Sequence, residues 1–191
     1  MSELEDRPRR RQPPLVAAAV LVVLLLVAAF TVRHLVVEPF EVPSASMEPT
    51  LRTGDVILVD RQSRRSAERG QVVVFDGRGY FGGEDGKGHY WVKRVIAVGG
   101  DRVTCCDDAG AILVDGEPID EPYLAPGTAP SRVAFDLEVP EGRMFLLGDN
   151  RADSTDSRSL LGAPGGGMVP VDRVVGEARR IVWPPPRSGA L

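Results

Sequence analysis

Histidine is scarce in this chain of 191 residues and occurs only as His34 and His89. A hydrolase needs a group that accepts a proton near neutral pH, and histidine is the usual one. If the chain is a hydrolase, a base other than histidine therefore has to be considered. Lysine is just as rare, because Lys87 and Lys93 are the only lysines among 23 Lys and Arg residues.

Cysteine occurs only as the adjacent pair Cys105 and Cys106. Adjacent cysteines lack the spacing of a zinc site and the framework of a small disulfide-rich protein. The sequence therefore predicts no metal and no cofactor. The sequence leaves open whether the pair is two thiols or an isolated oxidised pair in a loop, and it assigns the pair no function. A net charge of −4, with no long basic stripe, also gives no reason to expect a nucleic acid partner.

Charged residues are absent from the run LVAAAVLVVLLLVAAFTV at residues 15–32. As a helix it would reach about 27 Å, close to the thickness of the bilayer's hydrocarbon layer. A core helix should show a polar face, and a cleaved signal should have a shorter apolar stretch, so we expect an uncleaved transmembrane anchor. Because an arginine cluster precedes the run and only Arg33 follows closely, the N-terminus is expected in the cytoplasm and the rest of the chain outside the cell membrane.

The rest of the sequence contains short apolar runs rich in β-branched residues, which Gly, Pro and Asp separate. This pattern is typical of β-strands. The expected strands cover residues 56–59, 71–75, 91–98, 111–114, 133–137, 144–147, 171–175 and 178–183. The sequence thus predicts a disordered tail over residues 1–14, one transmembrane helix over 15–32 and a mainly β domain over 36–187.

Two apolar-flanked segments contain residues that could carry chemistry. In PSASMEPTL, at residues 43–51, two prolines stiffen the backbone around Ser46, which suits a nucleophile but also a stiff linker. In WVKRVIAV, at residues 91–98, Lys93 lies among apolar neighbours. A buried amine can lose its proton and act as a base, whereas a guanidinium cannot, although lysine also protects exposed sheet edges. Strand alternation leaves open whether Lys93 or Arg94 faces inward.

A third segment, GDNRADSTDSR at residues 148–158, is dense in hydrogen-bonding groups. Its Asp and Arg side chains could form a solvated salt-bridge network, and its Asn and Ser residues could form turns. The spacing does not fit a calcium-binding loop, because the required glycine and the closing glutamate are missing.

Read together, these segments resemble the bacterial type I signal peptidases, a family of membrane-bound Ser/Lys endopeptidases, from residue 15 to about residue 183. Four boxes match in order: PSASMEPTL at 43–51, GDVILV at 54–59, KRVIAVGGD at 93–101 and GDNRADSTDSR at 148–158. The resemblance implies an antiparallel β catalytic domain with a small inserted β subdomain over about 103–140. It also implies an endopeptidase that removes N-terminal signal peptides from exported preproteins.

By that resemblance Ser46 is the nucleophile and Lys93 the general base in an acyl-enzyme mechanism. The Ser44 hydroxyl and the Ser46 backbone N–H would form the oxyanion hole, and Ser154 would hydrogen-bond the lysine amine. The supporting pair that would hold the Ser154 loop consists of Asp156 and Arg158.

The resemblance further implies that the substrate binds as an added strand between residues 41–44 and 90–93, with small side chains at positions −1 and −3. The residues expected to contact this strand are Val42, Met47, Leu51, Trp91 and Val92. The implied partners are signal peptides, the lipid bilayer and the protein export machinery.

Two other readings of the sequence compete with this one. Self-cleaving repressors also place a serine before a strand lysine, but they need a DNA-binding domain where this chain has its apolar run. A non-catalytic, membrane-anchored adaptor would use its β domain to bind exported partners, and Ser46 and Lys93 would then be structural only.

Overall fold

The computed structural model describes residues 14–81, 89–163 and 165–191, so most of the expected N-terminal tail over 1–14 lies outside the described residues. The chain divides into two compact units, Met1–Val36 and Val37–Leu191. In the described part of the first unit, helix α1 covers Pro14–Val36 and so includes the predicted 15–32 segment. Its described large apolar side chains between Val16 and Phe30 are 46–64% exposed. Within the three described ranges, no helix reaches the length and hydrophobicity that crossing a membrane requires.

The second unit is built from antiparallel strands in two sheets. In chain order the strands are β1 (Val37–Glu41), β2 (Val56–Asp60), β3 (Val72–Asp76), β4 (Tyr90–Val98), β5 (Arg102–Cys105), β6 (Ile112–Val114), β7 (Glu117–Pro118), β8 (Phe135–Glu138), β9 (Arg143–Leu147), β10 (Val169–Pro170), β11 (Val174–Trp183) and β12 (Gly189–Ala190). The larger sheet has the order β1-β2-β11-β3-β4-β9-β10, with β12 paired to β11, and the smaller has the order β7-β6-β5-β8. The mainly β, antiparallel architecture expected from the sequence is confirmed.

The predicted strands omit β1, β5 and the two-residue strands β7, β10 and β12, and they are wrong at the start of β11. Strand β1 was not predicted, because VEPFE is short and carries two acidic residues and a proline. Strand β5 was missed for a similar reason, since RVTC has few apolar residues. The predicted strand over 171–175 is wrong in its first half, because Val171–Arg173 forms a 3₁₀ turn and β11 begins at Val174.

Strand β3 shows why the centre of the larger sheet is apolar on both faces. Its residues alternate between two buried clusters, with Val72 and Val74 in one and Val73 and Phe75 in the other. A strand covered on both faces reads as a continuous apolar run, as VVVF does here. The neighbouring strand β4, which carries Lys93, pairs with β3 in register, so that Lys93 lies opposite Val73.

The smaller sheet lies within the stretch for which an inserted subdomain is expected. A third buried cluster contains residues of both sheets, including Val103 and Ile112 of the smaller sheet and Phe145 and Leu147 of the larger one. The two sheets of this unit therefore share a core. The Cys105 and Cys106 sulfurs are bonded to each other, so the oxidised alternative is the one present, at the end of β5.

Candidate active site

The segment around Ser46 is a short turn anchored by buried apolar side chains. Ala45–Met47 forms a 3₁₀ turn, and Ser44 before it has an extended backbone. Met47 and Leu51 are both fully buried, and the Leu51 backbone N–H donates to the Met47 carbonyl at 2.9 Å. The anchors fix the turn from beneath, while the Ser46 side chain keeps access to solvent.

Lys93 is placed on β4 with its side chain almost completely buried, at 1% exposure. By strand alternation it shares a face with Trp91 and Val95. The sequence leaves open whether Lys93 or Arg94 faces inward. In the structure both faces of β4 are covered by other residues, so that Lys93 is buried and Arg94 is partly buried. Arg94, on the opposite face, is held by the Asp149 carboxylate.

Lys93 and Ser46 are in direct contact. The Lys93 Nζ donates a hydrogen bond of 2.7 Å to Ser46 Oγ and another of 3.1 Å to the Val92 carbonyl. Burial lowers the pKa of Lys93 to about 8, because the ammonium loses its hydration, while the charges of Asp156 and Asp149 act in the opposite direction. The neutral amine can therefore accept the hydroxyl proton of Ser46 at mildly alkaline pH. A hydroxyl in hydrogen-bond contact with such a base has the geometry of an activated nucleophile.

The Ser44 hydroxyl lies beside the same oxygen and donates to Ser46 Oγ at 3.3 Å. Its side chain is exposed, so it is free to turn toward a bound group. A second polar residue fixes the turn itself: Asn150 donates from its backbone N–H to the Ser46 carbonyl and from Nδ2 to the Ala45 carbonyl, both at 3.1 Å.

Segment 148–158 is closed on itself by an ion pair. Arg158 donates to Asp156 from Nε at 2.9 Å and from Nη2 at 2.7 Å, so the predicted pair is present. Asp156 has no exposed surface and also accepts from the Gly148 backbone N–H at 3.1 Å. Both ends of the segment are thereby tied to one carboxylate.

The predicted hydrogen bond from Ser154 to the lysine amine is not formed, and that expectation is corrected. Ser154 Oγ is buried and, among the described residues, has no hydrogen-bond partner. It lies instead against Gly148, where an added Cβ would come within 2.2 Å of Ser154 Oγ and 2.4 Å of the Ser46 carbonyl oxygen. The absence of a side chain at Gly148 thus leaves the space in which the Ser154 side chain and the Ser46 carbonyl lie.

Asp149 is a structural residue of the site that the sequence reasoning did not assign. Its carboxylate is 1% exposed and accepts from Arg94 Nε at 2.8 Å, Arg94 Nη2 at 2.7 Å and Thr50 Oγ1 at 2.5 Å. These three bonds join β4, the segment after Ser46 and the polar loop. The Gly-Asp-Asn box was a signal for such a role, but its partners lie 55 and 99 residues away in sequence.

A groove runs past Ser46 and consists of two adjoining cavities. One, of about 370 Å³, is lined by Ser44, Ala45, Ser46, Lys93, Asp153 and Thr155 together with shared residues. The other, of about 320 Å³, is lined by Phe40, Glu41, Val42, Ile57, Val74 and His89 together with the same shared residues. Pro43, Tyr90, Trp91 and Val92 line both cavities. The expected flanking segments, 41–44 and 90–93, thus form the two sides of the groove.

The predicted contact residues divide into two groups. Val42, Trp91 and Val92 line the groove, although Val42 lines the cavity farther from Ser46 and not the nearer one. Met47 and Leu51 do not line it, because both are fully buried in the apolar cluster beneath Val42. Their expected contact with substrate is therefore corrected to a supporting position under the groove. Within the described ranges, no three His, Cys, Asp or Glu side chains come together as a metal site would need.

Comparison with known proteins places these features in a family. The family model described as signal peptidase, peptidase S26, matches residues 15–183. A signal peptidase I of Mycobacterium tuberculosis is 37% identical over 86% of this chain and 71% of its own length. One of Bacillus licheniformis is 33% identical over 83% of each chain. A crystal structure of a signal peptidase I from Enterococcus faecalis covers 60% of this chain and 98% of its own, at 25% identity and a TM-score of 0.45.

Proposed function

Since the chain belongs to the peptidase S26 family of signal peptidases, we propose that it is a serine endopeptidase that removes N-terminal signal peptides from exported preproteins. The observation that carries the proposal is the 2.7 Å hydrogen bond between a buried lysine amine, Lys93 Nζ, and the hydroxyl of Ser46 at the floor of a groove. Both parts of a Ser/Lys dyad are thus in contact where a peptide could reach them.

The reaction proceeds in two halves. The neutral Lys93 amine takes the proton of Ser46, whose Oγ adds to the scissile carbonyl carbon. The oxyanion that forms is stabilised by the Ser44 hydroxyl and the Ser46 backbone N–H. Lys93 then gives its proton to the departing amine, and the acyl-enzyme remains on Ser46. In the second half, Lys93 takes a proton from a water molecule whose oxygen adds to the acyl carbonyl carbon. The ester bond to Ser46 Oγ then breaks, Lys93 returns the proton to Ser46 Oγ, and the signal peptide leaves as a carboxylic acid.

The two cavities match the two small side chains that such a substrate presents. The substrate strand lies between residues 41–44 and 90–93. The cavity containing Ser46 takes the side chain at position −1, and the cavity containing Val42 takes the side chain at position −3. Support comes from their order along the groove, since alternate side chains of an extended strand point the same way and are two residues apart.

The proposal includes an anchor over residues 15–32 that holds the enzyme in the cell membrane as a single-pass protein. The N-terminus would be cytoplasmic and the peptidase unit extracytoplasmic, next to the bilayer and the export machinery. Support comes from the uncharged run, its exposed apolar side chains and the arginines that precede it. Anchoring enzyme and substrate in one bilayer raises their effective concentration.

Cleavage of a defined preprotein tests the function. We expect the detergent-solubilised full chain to cut a preprotein whose signal ends in Ala-x-Ala directly after the second alanine, as mass spectrometry of both products would show. The matched control is the same preprotein with leucine at position −1, which should not be cut, because the proposed substrates carry a small side chain there. A folded enzyme that leaves both preproteins intact would contradict the proposed function.

Ser44→Ala tests the oxyanion hole separately. We expect kcat to fall about 10²–10³-fold with little change in KM, because the lost hydroxyl would stabilise the oxyanion and not the bound substrate. Because the Ser44 side chain is exposed, the variant should keep its fold, and its unfolding temperature should stay near that of the wild type. The comparison variant is Ser44→Thr, which keeps a hydroxyl and should retain much of the rate. Equal kcat values for Ser44→Ala and wild type would remove Ser44 from the mechanism.

A further inference from the structure

Trp91 forms a wall that the two cavities of the groove share. The centre of its ring system lies 5.4 Å from Lys93 Nζ, with the amine over the ring face. Any displacement of this indole would therefore change the shape of the groove and the access of water to the amine.

A second aromatic ring packs against the indole from within the core. Phe81, in the loop that follows β3, is only 2% exposed. Its ring meets Trp91 edge to face, with 5.5 Å between centroids, and meets Phe75 of β3 in the same way at 5.2 Å. Such pairs contribute stabilisation beyond the apolar area that they bury. The three rings form a continuous chain of contacts from the core of the sheet to the amine.

Gly77, at the start of the same loop, leaves the space in which the indole lies. A Cβ at this position would be 2.5 Å from Trp91 Cδ1 and 2.8 Å from Trp91 Nε1. The indole N–H is buried and, in the part of the chain that the structure describes, has no hydrogen-bond partner. The position of the indole therefore depends on packing and not on a polar contact.

We propose that Phe81 is a positioning residue that, together with Gly77, holds the indole of Trp91 over the Lys93 amine and keeps water away from it. The inference rests on the proposed function for the role of Lys93 as the base, and it assigns to this loop the control of that base. It predicts that loosening the indole makes the amine easier to protonate, because water would then hydrate the ammonium.

The charged groups around the amine lie on a different segment from Phe81 and Gly77, so loosening the indole would leave them in place. Asp156 and Asp149 act on Lys93 electrostatically and are paired with Arg158 and Arg94. Asp153, also from the polar loop, lines the same cavity as Lys93. All three carboxylates belong to segment 148–158, and Phe81 and Gly77 belong to neither that segment nor β4.

The test is a direct titration of the Lys93 amine in full-length protein. Because the chain has only two lysines, labelling lysine with ¹³C at Cε gives two signals by NMR in detergent micelles, and Lys87→Arg assigns them. We expect the wild-type Lys93 to titrate near pH 8. Phe81→Leu should raise this pKa by about one unit. The kcat/KM profile should move with it, so that activity below both pKa values falls about tenfold.

The matched control is Phe135→Leu. This variant also removes a buried ring, one packed on Phe145 with 5.3 Å between centroids, in the core cluster shared by the two sheets. It should lose stability yet leave the Lys93 pKa unchanged. If Phe81→Leu fails to fold, Gly77→Ala displaces the indole through the added Cβ and should raise the pKa in the same direction.

The outcomes separate this inference from the proposed function. An unchanged Lys93 pKa in a folded Phe81→Leu or Gly77→Ala variant overturns the inference, whether or not the wild type cleaves preproteins. An equal rise in Phe135→Leu also overturns it, because the effect would then follow from general loosening of the fold. A rise confined to the loop variants supports it, even if no preprotein is cut.

Discussion

Ser46→Ala is expected to abolish cleavage of a preprotein while leaving the fold intact. We expect kcat to fall by at least about 10⁴-fold, since removing the nucleophile of a serine hydrolase eliminates the acyl-enzyme route altogether. The side chain lies at the groove and not in the core, so the unfolding temperature should change little. The measurement is single-turnover cleavage followed by mass spectrometry, with the unfolding temperature recorded for the same preparation.

Ser157→Ala supplies the matched control for this loss. Ser157 is also a serine near the site, but its hydroxyl is fully buried and donates to the Gly167 carbonyl at 2.8 Å. That variant should lose stability and keep its rate at a temperature where it is folded. Ser46→Cys adds a second check, because any cleavage by this variant should become sensitive to thiol-reactive reagents and to pH. Full cleavage by Ser46→Ala would mean that another residue is the nucleophile, whereas a folded wild type that cleaves no preprotein would favour the adaptor reading.

The sequence was informative about the proposed dyad because each member has a local signature. Lys93 is one of two lysines in a chain that otherwise uses arginine, and it lies in an apolar strand. A buried position that must release a proton requires lysine, since arginine stays charged. Ser46 is set between two prolines in a box that the family shares. Neither inference needed knowledge of a distant contact.

The parts of the site that the sequence did not reveal depend on long-range contacts. Asp149 and Arg94 are 55 residues apart, and no local pattern pairs them. Met47 and Leu51 follow Ser46 closely and are predicted to contact the substrate, but both side chains are buried in the core. Proximity in sequence to Ser46 therefore does not determine which side chains face the groove.

The fold was predictable where a strand is covered on both faces and hidden where it lies at an edge. Strands β3 and β4 are central, so their apolar runs stand out in the sequence. Strand β1 lies at the edge of the larger sheet. The charged residues and the proline of its VEPFE sequence are typical of an edge strand. Yet β1 leads directly to residues 41–44, which form one side of the groove.

The pH dependence of cleavage should report the protonation of Lys93. We expect kcat/KM to be level above about pH 8 and to fall tenfold per pH unit below it, because the pKa of Lys93 is lowered to about 8 by burial and only the neutral amine accepts the serine proton. The value of kcat/KM falls toward low pH because the base is the unprotonated amine. The profile is measured with one preprotein, at a low and at a saturating concentration, from about pH 6 to about pH 10.

Substitution of the same residue should remove the base altogether. Lys93→Arg keeps a positive charge that does not dissociate, so we expect cleavage to fall at least about 10³-fold across that whole range of pH. Lys93→Met is the control for packing, since it has similar length, carries no charge and should fold with stability no lower than that of the wild type, because a buried ammonium is costly. Both variants should be inactive, and they should differ only in stability. A near-normal rate for Lys93→Arg, or a wild-type profile that stays level into mild acid, would mean that another group accepts the proton of Ser46.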